Sequence, residues 1–79
     1  MSGEISERYI KEFELLGAKE AELAARDGAE AEKLAKAGRY GSASFHAHLA
    51  DISTERANVF YECASVVRGF ERAKAKGEA

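Results

Sequence analysis

A chain of 79 residues makes one domain, and a core of that size supplies no more than about 3–5 kcal/mol unaided. One cysteine and two histidines exclude an internal disulfide and a four-ligand Cys/His zinc site, so no covalent or metal staple compensates. A net charge of −2 with both signs interspersed argues against nucleic acid as the main partner, and no apolar run reaches the roughly 18 residues that a membrane span requires. Self-association is the remaining common support for so short a chain.

The N-terminal "MSGEISERY" is acidic and polar where a secretory signal would be basic and then apolar, which points to a reduced, cytoplasmic setting. Proline is absent and alanine, glutamate, lysine and arginine dominate, the composition of long helices. The first element predicted is a helix over about residues 4–37. At about 100° per residue, Ile5, Tyr9, Ile10, Phe13, Leu16, Leu23, Ala24, Ala31, Leu34 and Ala35 share a stripe as wide as a core-facing surface. The rear of this helix is dense in Glu, Lys and Arg, and Leu15 is its one large apolar residue. Gly28 is the one place where the helix would divide. Glycine costs only about 1 kcal/mol there relative to alanine, and Gly28 shares a flank with Gly17 where a close helix contact is expected, so continuity is favoured.

Residues 38–42, "GRYGS", predict the turn. Gly38 stands where a C′ glycine belongs, Gly41 also tolerates positive φ, and Ser42 or Ser44 can cap the next helix through its hydroxyl. The segment from Ala31 to Ala50, with its Gly-Arg-Tyr turn and small Ala31, Ala43 and Ala50, resembles the inter-helix turn of a tetratricopeptide repeat. It departs from that repeat at Ala47, which replaces a large residue, and in having neither a second copy nor a closing proline. The resemblance implies a helix-turn-helix hairpin. His46 and His48, two apart, point about 160° from each other on a helix and cannot share a metal.

A second helix is predicted over about residues 43–75, with Phe45, Leu49, Ile52, Val59, Phe60, Cys63, Val66, Val67 and Phe70 as its apolar stripe. Its rear (Ala47, Ala50, Thr54, Ala57, Asn58, Tyr61, Ser65) is small and uncharged, as on a helix covered from two sides. The fold expected is therefore all-α: an antiparallel hairpin of two long amphipathic helices forming a single domain over residues 1–79. Two hairpins joined through their second helices would make a four-helix bundle, a homodimer with an isologous interface.

Charged residues inside the stripes are the next signal. Glu20 and Asp27 fall at the centre of the first stripe and Arg56 at the centre of the second. A hairpin turning about residue 40 sets Arg56 across from Ala24, one turn from both acids, which predicts an ion cluster in the seam. An acid/base role for the two carboxylates finds no pocket, oxyanion donor or supporting histidine, and Cys63 reads as a small core residue. The chain is not expected to be an enzyme, and no catalytic, cofactor or metal residue is assigned.

A binding role is the reading that remains: a small module that binds or inhibits another protein, in the manner of an adaptor or a phage-encoded inhibitor. Thr54, Asn58, Tyr61, Ser65, Arg68 and Arg72 form one ridge, expected on the side of the second helix away from the hairpin seam, with Tyr and Arg as anchors. Leu15 is a further exposed anchor. The ridge is either the dimer seam or a partner site. The alternative is a nucleic-acid-linked regulator using Arg68, Arg72, Lys74 and Lys76 as a basic tip, residues that equally complement a helix dipole.

Overall fold

Alanine and glycine at every seventh position decide how the two helices meet. The computed structural model describes residues 2–77, as α1 (Ser2–Lys36) and α2 (Tyr40–Ala75) packed antiparallel along their length. In α2 the residues facing α1 include Ala43, Ala50, Ala57 and Ala64, with Ser53 between them. Ile10, Gly17, Ala24 and Ala31 repeat at the same interval on the inward face of α1. A seven-residue period keeps a seam facing its partner helix, and small residues there bring the two backbones close.

The seam overturns the predicted orientation of α2. Ala50 and Ala57, expected on its rear, line the contact with α1, while much of its large apolar stripe is left open. Phe45 is 60% exposed, Val59 56%, Val66 58% and Phe70 68%. The reason is geometric. One partner helix covers a narrow seam, whereas the stripe spans well over about 100° of the helix circumference, so α1 takes the small-residue edge and the bulky edge remains uncovered. The first stripe divides likewise: Ile10, Phe13, Ala24, Ala31 and Leu34 turn inward, and Ile5, Tyr9, Leu16 and Leu23 stay exposed.

The turn is shorter than "GRYGS" suggested. Tyr40, Gly41 and Ser42 already belong to α2, whose N-cap, Arg39, makes no side-chain capping bond, so neither serine caps the helix. Gly38, at φ 78°, closes α1 in the expected way. The Arg39 amide donates to the Leu34 carbonyl at 2.9 Å and the Gly38 amide to that of Ala35 at 3.0 Å, the paired bonds of a Schellman motif. These bonds satisfy the last carbonyls of α1 and leave no need for a longer loop. α1 runs unbroken through Gly28, which has open space around it and makes no close helix contact; Gly17 makes that contact alone.

The hairpin is a rod of 59 × 17 × 12 Å with a radius of gyration of 17.8 Å, where a compact chain of this length would measure about 12 Å. Its accessible surface, 5943 Å², exceeds by roughly 1,200 Å² what a globular monomer of 8.6 kDa exposes. Among the described residues no large side chain is fully buried; the buried core consists of Ala43, Ala57 and Ala64. Among the described residues no helix is long and apolar enough to cross a membrane.

Candidate protein-interaction surface

Two sides of the rod differ in chemistry because the seam runs along one edge of the apolar stripe. On the open flank Phe13 of α1 joins Val59, Cys63, Val66 and Val67 of α2 around a shallow hollow, so the two helices share one apolar surface. A neighbouring hollow is lined by Ile52, Glu55, Arg56, Val59 and Phe60. Leu16 and Leu23, at 40% and 42% exposure, continue the flank along α1 at helical spacing from Phe13. Cys63, half-buried, belongs to this flank and not to a closed core.

The opposite side carries part of the ridge. Tyr61 and Arg68, expected to point away from the hairpin seam, both reach α1. The Tyr61 ring lies on Gly17, and Arg68 Nη2 donates to Glu14 Oε2. Both follow from the alanine seam, which places position 61 only about 40° beyond Ala57 around the helix. Thr54 Oγ1 donates to the Ala50 carbonyl at 2.9 Å, within its own helix. Asn58, Ser65 and Arg72 are exposed. Arg72 borders a hollow with Ser6, Ile10 and Glu71, beside the hydrogen bond that Ser6 Oγ donates to Glu71. Leu15 is 61% exposed on the outer side of α1, flanked by Arg8, Lys11 and Glu12.

The ion cluster expected of Glu20, Asp27 and Arg56 does not form in the seam. Arg56 is exposed on the open flank, and Asp27 is bound by His46, whose Nδ1–H donates to Oδ1 at 3.0 Å. His46 stands four residues before Ala50 and three after Ala43, on the seam itself, so it meets Asp27 where Arg56 cannot. Glu20 is half-buried, and its Oε2 is a buried oxygen with no hydrogen-bond partner. His48 points to solvent.

Residues of the open flank were legible as apolar but not as surface. The signal that finds them is the coincidence of two small-residue repeats, at 43, 50, 57 and 64 and at 17, 24 and 31, which marks the closest helix approach. Comparison with family models, with curated proteins and with solved structures finds no match for this chain.

Proposed function

We propose that the chain is a protein-protein interaction module, a homodimer of hairpins that binds or inhibits another protein. The observation that carries this reading is the open flank, where large apolar side chains of both helices lie exposed along the rod. A patch of this kind on so small a chain marks an interaction surface. Two flanks laid together form an all-α four-helix bundle, with the large side chains as its core. The surface surplus of roughly 1,200 Å² exceeds the approximately 800 Å² that each partner buries in a standard interface.

The other side then stays outside the bundle and serves the second protein. Tyr61 is held against Gly17 and Arg68 against Glu14, so both anchors are pre-positioned, with exposed Asn58 and Ser65 beside them. Ordering these side chains before binding lowers the cost of association. Arg68 is already engaged by an acid, which weakens the basic tip as a phosphate site, and the adaptor or inhibitor reading is preferred.

Sedimentation equilibrium combined with affinity capture tests the proposal. The expected result is a dimer at micromolar concentration. Tyr61→Ala with Arg68→Ala should abolish capture of the partner while preserving the dimer. A stable monomer that captures nothing overturns the reading.

A further inference from the structure

Two contacts fix the relative heights of α1 and α2. Gly17 touches Tyr61, and Asp27 touches His46. Counting inward from each along helices that run in opposite directions at about 1.5 Å per residue, Glu20 lies at the height spanned by Ser53 to Asn58. Arg56 is in that interval. Both residues belong to the open flank: Glu20 sits one turn from Leu16 and from Leu23, and Arg56 lines a hollow there with Ile52, Val59 and Phe60. Each lacks a counter-charge. Among the described residues neither Glu20 nor Arg56 makes an ion pair.

We propose that a second copy of this chain seats on the flank about a two-fold axis parallel to the helices, with Glu20 of each copy paired to Arg56 of the other. This rests on the dimer reading above and specifies its geometry. Such an axis lays α1 of one copy over α2 of the other without changing height, so equal height within one hairpin becomes contact between two. Every helix is then antiparallel to both neighbours. A two-fold axis running across the helices instead stacks α2 on α2 and α1 on α1. Centred at this height it opposes Arg56 to Arg56 and Glu20 to Glu20, and like charges facing each other disfavour it. The parallel axis is the arrangement in which one surface supplies both charges and answers both, as a self-complementary interface requires.

The test is a mixing experiment read by sedimentation equilibrium, with helix content followed by circular dichroism. Glu20→Arg alone and Arg56→Glu alone should each weaken the homodimer about thirtyfold or more, the scale of breaking a buried charge pair. Mixed together they should form a heterodimer about as tight as the wild type, because each chain then supplies what the other needs. The measurement is made in about 0.5 M salt, where long-range attraction between oppositely charged chains is screened. A mixture as weak as the single variants overturns the pairing while leaving the dimer reading in place. The pairing is likewise overturned if only the doubly swapped chain recovers, since the pair then lies within one chain. A wild-type chain that remains monomeric overturns both. Should either reversal abolish helix content, a Glu20→Gln and Arg56→Gln cycle on the concentration-dependent melting temperature gives the coupling, and absence of coupling overturns the pairing.

Discussion

The ring of Tyr61 rests on Gly17 so closely that a Cβ built there would stand 2.8 Å from its Cε1 and 3.0 Å from its Cζ. Only a residue without a side chain permits this contact while the ring keeps its place. Gly28, one turn from Ala24 and Ala31, has nothing within 4 Å. The two glycines therefore separate helix propensity from packing.

Gly28→Ala should stabilise the hairpin by about 0.5–1 kcal/mol through propensity alone. Gly17→Ala should gain clearly less, because the added methyl displaces the Tyr61 ring. Combined with Tyr61→Ala, it should recover the full propensity gain. Urea unfolding of the three variants checks this, and equal gains at both glycines in the wild-type background would contradict it.

Overpacking of the seam is the second prediction. Ala64 is 1% exposed and Ala57 4%, both between close backbones. Ala57→Leu or Ala64→Leu should destabilise by about 1–3 kcal/mol, whereas Ala47→Leu, at an exposed position, should be nearly neutral. Thermal melts compared at one protein concentration decide it.

The Arg68–Glu14 bridge should add little to stability. Its side chains are 46% and 45% exposed, so water and salt screen the pair, and Arg68→Ala should cost no more than about 0.5 kcal/mol. Loss of partner capture in that variant without a change in melting temperature would assign Arg68 to binding. A large drop in melting temperature would show the bridge to be structural.

Assembly through the flank predicts a melting temperature that rises with protein concentration, since the dimer alone covers the exposed side chains. Val59→Lys or Val66→Lys places a charge on that surface and should abolish the dependence and shift sedimentation to the monomer. Leu15→Lys, on the outer side of α1, should change neither.

Secondary structure was legible in the sequence because it depends on neighbours along the chain. Helix-forming residues, absent proline and Gly38 before the second helix determined two long helices and the turn between them. The end of α1 was readable for the same reason, since a Schellman motif is made entirely of local bonds. The start of α2 was less so: Tyr40, Gly41 and Ser42 join the helix without a side-chain cap, which no local signal required.

Which edge of each stripe turns inward was decided only by the tertiary structure. Periodicity gives the direction of an apolar face to within its width, and both stripes here are wider than one partner helix can cover. Ala43, Ala50, Ala57 and Ala64 set the seam because closest approach favours the smallest residues, and that choice moved Arg56 and Cys63 onto the open flank and Tyr61 onto Gly17. Asp27 met His46 for the same reason: rotating a helix by part of a turn exchanges its cross-helix partners while leaving its own hydrogen bonds intact.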